Sequence, residues 1–262
     1  MEDLKPICCL KARDLDDAWA TALFACLEQN EDGTFKWSQR YANDRGSYVG
    51  QERLEIDTFI MDITHPGSGP LVPVMPYGKE MLAPTSEEVA REYLAYLLTD
   101  AKQPNEQYTY GERLVGPRIP LTLKLNSLEE KIDMPLGVNP VQEVINMYKK
   151  DGHNTNQATL EVGMPSDVLL PDPPCLRLID TRIRKDTLHF FVYFRSWDLY
   201  NGFPVNLAGL QQMKEYMASE IGVKDGQIRA MSKGLHLYDD MWENAFIRLG
   251  KEPTIFKRRD KE

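Results

Sequence analysis

Apolar positions along this chain change period several times, and each change predicts an element. From Asp14 to Gln29, Leu15, Ala18, Trp19, Leu23, Ala25, Cys26 and Leu27 form a wide helical face behind a carboxylate cap at Asp14. From Arg53 to Thr64 the period shortens, and Leu54, Ile56, Phe59, Met61 and Ile63 predict one strand. A loop rich in Pro and Gly covers 65–78. Thr85-Ser86-Glu87-Glu88 opens a helix that runs to about Leu98. Asn139 to Lys150 is a further amphipathic helix with Val141, Val144, Ile145 and Tyr148 on one face. Three strand-like runs follow, at Gln157–Val162, Leu176–Ile183 and Thr187–Phe194, and the turn Arg184-Lys185-Asp186 makes the last two a hairpin. Asn206 to Ile221 reads as a helix ended by Gly222, and Gln227 to Tyr238 as a final strand. Helices and strands are interspersed without repeat, linker or composition break. One α+β domain over residues 1–262 is therefore expected, with a polar tail at 239–262.

Composition narrows the class. A chain of 262 residues with 42% hydrophobic positions can bury a substantial core. A net charge of −9 argues against broad nucleic-acid binding, though not against a small anion held by a few arginines. No apolar run approaches the roughly 18 residues that span a bilayer, and Met-Glu-Asp-Leu-Lys-Pro does not resemble a signal peptide. A soluble cytoplasmic protein is expected. Cys8, Cys9, Cys26 and Cys175 lack metal-type spacing, so no metal is expected. Each thiol stands alone, and a buried inert thiol is the default reading of each.

The chemistry concentrates between Pro173 and Tyr238. Cys175 follows Pro171-Asp172-Pro173-Pro174, a run short of backbone donors and stiff in φ. Arg195 ends the next apolar strand. If the two strands pair, its guanidinium can stabilise a thiolate or grip a phosphate. Spacing alone favours the plainer reading, a buried thiol and a surface arginine. Ser196, Asp198, Gly202, Pro204 and Asn206 form a polar turn before a helix, suited to an anion or a base edge. Ordinary cap chemistry, with Asn206 as N-cap and Gly202 at positive φ, fits them too. His236 and Tyr238, two apart on a strand, share one face, either for a sugar hydroxyl or as a core pair.

Taken in order, these segments resemble the thymidylate synthase family. The resemblance rests on Pro-Pro-Cys at 173–175, Arg-Ser-x-Asp-x-x-x-Gly-x-Pro-x-Asn-x-Ala from Arg195, and His-x-Tyr from His236. Ala90 to Leu97 and Tyr110-Gly111 add to it, and the similarity is strongest over 85–240. It implies a large mixed sheet flanked by helices, packed sheet to sheet in a homodimer. It implies that Cys175 adds to C6 of the pyrimidine of a deoxynucleotide monophosphate. By the same resemblance Arg195 and Ser196 hold the phosphate, and Asn206 reads the uracil O4/N3 edge. Asp198 lies near the folate ring, and His236 and Tyr238 take the deoxyribose hydroxyl. Glu92 organises water, and Tyr110 assists proton removal at C5. The implied cosubstrate is 5,10-methylenetetrahydrofolate, and the implied product is deoxythymidylate.

Three departures qualify the resemblance. The family's arginine pair, donated by the partner subunit to the phosphate, falls on Asn154-Thr155-Asn156-Gln157-Ala158, which contains no arginine. Lys149, Lys150 and His153 lie nearby, and Arg40 and Arg45 fall where the family has a loop arginine. Only 24 residues follow Tyr238, and they end on Phe256-Lys257-Arg258-Arg259-Asp260-Lys261-Glu262, too charged to seal a site against water in the way an apolar tail does. Phe194 replaces a glutamine before the arginine. The short ending and Asp-Pro-Pro-Cys-Leu-Arg resemble the archaeal-type branch. Two alternatives stay open: a pyrimidine-nucleotide hydroxymethylase acting on deoxyuridylate, deoxycytidylate or cytidylate, where water replaces hydride, and an inactive nucleotide-binding regulator. Asn206 favours uracil, since an aspartate suits cytosine's amine better.

Overall fold

The structure, a computed structural model, describes residues 4–42, 49–125 and 128–251. The chain opens with β1 (Cys8–Ala12), α1 (Leu15–Leu27), β2 (Ser38–Ala42), β3 (Glu52–Ile56) and β4 (Phe59–Ile63). It continues through α2 (Glu87–Leu97), α3 (Tyr110–Val115), β5 (Arg118–Leu125), β6 (Leu128–Pro135) and α4 (Pro140–Asp151). Then come β7 (Thr159–Glu161), β8 (Leu176–Arg184), β9 (Thr187–Phe194) and β10 (Trp197–Asp198). The remaining elements are α5 (Gly202–Ile221), β11 (Lys224–Ser232), β12 (Leu235–Tyr238) and α6 (Trp242–Arg248).

Six strands form a mixed sheet in the order β1-β4-β11-β9-β8-β7, and four form a second in the order β10-β12-β3-β2. β5 and β6 form a separate antiparallel hairpin. α1 and α5 pack on one face of the large sheet, over the buried Phe59, Met61, Phe190, Val192, Ile228 and Ala230. On the opposite face Ile60, Leu178, Phe191 and Tyr193 are half-buried and Met231 is exposed. The architecture is the expected α+β arrangement of a large mixed sheet with helices.

Local chemistry explains the best-read elements. Asp14 Oδ1 accepts from Asp17 N at 3.1 Å to start α1, and Asn139 Oδ1 accepts from Gln142 N at 3.0 Å to start α4. Lys185 and Asp186 take positive φ (50° and 53°) in the β8–β9 turn, as a tight two-residue hairpin requires.

Elsewhere the structure corrects the reading. The run 53–64 is two strands, β3 and β4, in different sheets. Asp57 makes the break: its carboxylate accepts from Lys5 N at 2.8 Å and from Gln39 Nε2 at 2.7 Å. The run 227–238 breaks likewise at Lys233-Gly234, where Gly234 has φ +127°. β9 passes into β10 at the same level, because Ser232 pairs Phe194 and Leu235 pairs Trp197. Three neighbouring strands therefore cross together from the large sheet to the small one. Arg195 and Ser196 lie on that seam. α5 begins four residues earlier than expected, so Asn206 sits inside its second turn rather than at its cap. Gly202 does not have positive φ. The polar segment after Tyr238 contains α6, whose Trp242, Ala245 and Phe246 are buried.

Candidate active site

Cys175 stands half-buried immediately before β8. The prolines before it leave carbonyls without local donors, and Arg195 supplies them. Its Nε donates to Pro173 O and Pro174 O at 3.2 Å each, and its Nη2 donates to Asp172 Oδ1 at 3.1 Å. Nη2 also donates to Pro173 O. The backbone closes the contact, since Arg195 N donates to Cys175 O at 2.8 Å. β8 carries a bulge between Leu176 and Leu178 opposite Phe194 and Tyr193. A bulge kinks the strand and re-aims its neighbours. Burial raises the Cys175 thiol, Arg195 and Arg177 pull it down, and Asp172 and Asp198 add to the rise.

Two helices bring tyrosines to this thiol. Thr109 caps α3 by accepting from Glu112 N at 2.9 Å. Tyr110 N donates to Tyr96 Oη at 3.0 Å, and Tyr110 Oη accepts from Leu176 N at 3.2 Å. Gly111 allows this packing: a Cβ there would lie 2.1 Å from Tyr96 O and 2.2 Å from Thr99 O. Burial, and then the neighbouring Cys175, raise Tyr110 far above the ordinary phenol, so it is neutral. Tyr108 stacks on Tyr110 at 6.4 Å between centroids and is raised by burial, with smaller contributions from Asp172 and Cys175.

Glu92 does not join this cluster. It is exposed on α2, and no hydrogen bond or ion pair among the described residues ties it to the others. The adjacent Tyr93 turns inward instead, on the side of α2 shared by the buried Ala90 and Leu97, and its Oη accepts from Asn206 Nδ2 at 2.7 Å. Asn206 Oδ1 accepts from Trp197 Nε1 at 2.9 Å. Asp198 accepts from Tyr200 N at 2.9 Å, Asn201 N at 3.1 Å and Asn201 Nδ2 at 3.2 Å, while burial raises its carboxyl.

The small sheet contributes the other end. His236 Nδ1 lies 3.0 Å from Gly234 O and 3.5 Å from Ser196 Oγ. Burial lowers His236 from 6.5 to about 4, so the ring is neutral; its Nδ1 hydrogen goes to the Gly234 carbonyl, leaving Nε2 as an acceptor. Tyr238 packs edge-on to His236 at 4.8 Å between centroids. Arg53 pairs with Glu55 at 2.7 Å, and its charge, like that of Arg195, bears on His236.

The structure therefore gathers Cys175, Arg195, Tyr110, Asp198 and Asn206 around one centre, and Ser196, His236 and Tyr238 along the adjoining seam. Arg40 is engaged elsewhere: it pairs with Glu52 and lies over the Trp242 ring at 5.0 Å. Arg45 lies outside the described residues, as does the charged segment 252–262. Lys149 and Lys150 are exposed in the last turn of α4, His153 pairs with Asp186 at 3.4 Å, and Arg182 Nη2 donates to Asn156 Oδ1 at 2.5 Å. Sequence reasoning missed Tyr93, Tyr108, Trp197 and Arg53. A helical wheel of α2 anchored on Ala90 and Leu97 was the available signal for Tyr93; the others had none. No group of three His, Cys, Asp or Glu side chains among the described residues could hold a metal, and no helix among them is long and apolar enough to cross a membrane.

Comparison with known proteins places the chain among relatives of one family. A family model described as thymidylate synthase matches residues 122–258, just over half of the chain, including Cys175, Arg195, Asn206, His236 and Tyr238. A protein of Methanococcoides burtonii named "Putative thymidylate synthase" is 27% identical over 237 residues, covering 89% of this chain and 91% of its own. Proteins of the same name from Methanosarcina barkeri and Methanosarcina acetivorans are each 25% identical over 236 residues, with the same coverage. With its thiol, arginine and asparagine segments inside the matched region, the chain belongs to the thymidylate synthase family.

Proposed function

We propose that this protein is a thymidylate synthase that methylates deoxyuridylate at C5. One observation carries the reading: Arg195, Tyr110 and, through Tyr93, Asn206 converge on the single half-buried thiol Cys175. A structural thiol has no use for that company. As a thiolate, Cys175 adds to C6 of the pyrimidine, and negative charge then develops towards C5 and O4. Arg195 opposes the burial that keeps the thiol protonated. An Asn206 Nδ2 hydrogen stabilises the charge at O4. Tyr110, kept neutral by burial, relays protons at C5 rather than abstracting them as a phenolate. The contribution of α2 is assigned to Tyr93 in place of Glu92.

Arg195, Ser196 and Arg53 are the groups suited to the phosphate, and His236 Nε2 with Tyr238 to the sugar. A folate fits the remaining chemistry, because Tyr108 offers a half-buried aromatic ring and Asp198 a carboxyl that burial holds towards its protonated form. Methylenetetrahydrofolate would supply the one-carbon unit and the hydride. The half-buried face bearing Phe191, Tyr193 and Leu178, with Met231 exposed, suits a two-fold pairing of sheets.

The test is product identification. The full chain is incubated with methylenetetrahydrofolate and deoxyuridylate, deoxycytidylate or cytidylate, and products are weighed. Deoxythymidylate with dihydrofolate is expected. A hydroxymethyl product would replace this reading with a hydroxymethylase. No turnover, together with no tritium release from C5, would remove both enzymatic readings.

A further inference from the structure

Asn206 is held from both sides. Its Oδ1 accepts from Trp197 Nε1 at 2.9 Å, and its Nδ2 donates to Tyr93 Oη at 2.7 Å. An indole N–H only donates, so the amide oxygen must face it. Trp197 is locked in turn. It is 2% exposed, stacked on Phe194 at 3.9 Å and 4° and packed on Phe203 at 4.4 Å. Tyr93 has room only because residue 209 is glycine, where a Cβ would lie 2.3 Å from Tyr93 Cδ1. One Nδ2 hydrogen is used by Tyr93, and the other meets no acceptor among the described residues.

Resting on the nucleotide reading above, we propose that Trp197 is a positioning residue that fixes the Asn206 edge as a hydrogen-bond donor, and so selects a 4-oxopyrimidine nucleotide over a 4-aminopyrimidine one. An asparagine alone does not discriminate. Its amide inverts and then accepts from an exocyclic amine as readily as it donated to a carbonyl. Here inversion would set the amide nitrogen against the indole N–H, leaving two donors face to face in a partly buried place. Trp197 need not touch the base. It denies Asn206 the orientation that a cytosine needs.

The experiment measures binding rather than turnover. Calorimetry on the full chain without folate compares deoxyuridylate with deoxycytidylate for wild type, Trp197→Phe and Trp197→Leu. Wild type should prefer deoxyuridylate by roughly tenfold to a hundredfold. Trp197→Phe keeps an aromatic ring between Phe194 and Phe203 but loses the N–H, and its preference should fall by about tenfold, mainly through tighter deoxycytidylate binding. A merely structural defect would weaken both nucleotides together and leave the ratio unchanged. An unchanged ratio in folded Trp197→Phe overturns the inference. If that variant does not fold, Trp197→Leu, which also lacks the N–H, decides on the same criterion. Wild type that binds neither nucleotide overturns the nucleotide reading, a different failure from an unchanged ratio.

Discussion

Asp167 and Arg113 form a buried ion pair, with Nη2 donating to Oδ1 at 3.1 Å and the two residues only 1% and 8% exposed. The second carboxylate oxygen accepts from Met164 N at 2.7 Å and from Arg177 Nη1 at 3.2 Å. One carboxylate thus ties α3, which carries Tyr110, to the β8 bulge that follows Cys175. Gly163 leaves space for the Arg177 guanidinium, since a Cβ there would lie 2.5 Å from it. Asp167→Asn keeps the shape and removes the charge shared by two arginines. Breaking a buried pair in this way costs about 3–5 kcal/mol. Urea unfolding should show a loss of that order, and a variant as stable as wild type would contradict the bracing role.

Arg195 lowers the Cys175 thiol against the effect of burial. Arg195→Gln removes the cation and should move the pH profile of Cys175 alkylation upwards, with slower reaction at pH 8. Peptide mass spectrometry separates Cys175 from the exposed Cys9. Under the proposed function, the variant should also bind deoxyuridylate at least about tenfold more weakly, because a neutral amide cannot replace a charged fork. An unshifted alkylation profile would show that Arg195 serves only the loop carbonyls.

Under the proposed function, Asn206→Asp should reverse base preference. Trp197 Nε1 would hold one carboxylate oxygen and leave the other as an acceptor for the amine of a cytosine. Deoxycytidylate should then outcompete deoxyuridylate by about tenfold or more in kcat/KM. An unchanged preference for deoxyuridylate would mean that this position does not read the base.

His236 makes stability depend on pH. Its folded value, about 4, lies below the ordinary 6.5 because the ring is buried. Below pH 6.5 the unfolded chain takes up a proton that the folded chain refuses. The stabilisation is present above pH 6.5 and is lost as pH falls towards 4, amounting to about 3 kcal/mol across that window. Denaturant unfolding at pH 7 and pH 4.5 should give a larger difference for wild type than for His236→Gln. Equal differences would place the His236 ring in water.

The sequence by itself determined the local elements and the candidate site residues. α1, α4 and the β8–β9 hairpin were legible because their signals are local: Asp14 and Asn139 cap the turn beside them, and Lys185-Asp186 bends the chain where it stands. Cys175 and Arg195 could be linked because adjacent strands of a hairpin bring their ends together. Tertiary structure alone decided the seam. At each crossing the buried positions slip by three residues instead of two, from Ile56 to Phe59, from Phe194 to Trp197 and from Ser232 to Leu235; a bulge within one strand leaves the same one-residue slip, so the pattern does not mark where one sheet ends and the other begins. It also decided that Tyr93 rather than Glu92 faces Asn206. One residue along a helix turns the side chain by about 100°, and the packing of α2 against α5 sets which one points inward. The orientation of the Asn206 amide was beyond the sequence for the same reason: it depends on an indole nine residues away, placed by stacking on Phe194 and Phe203.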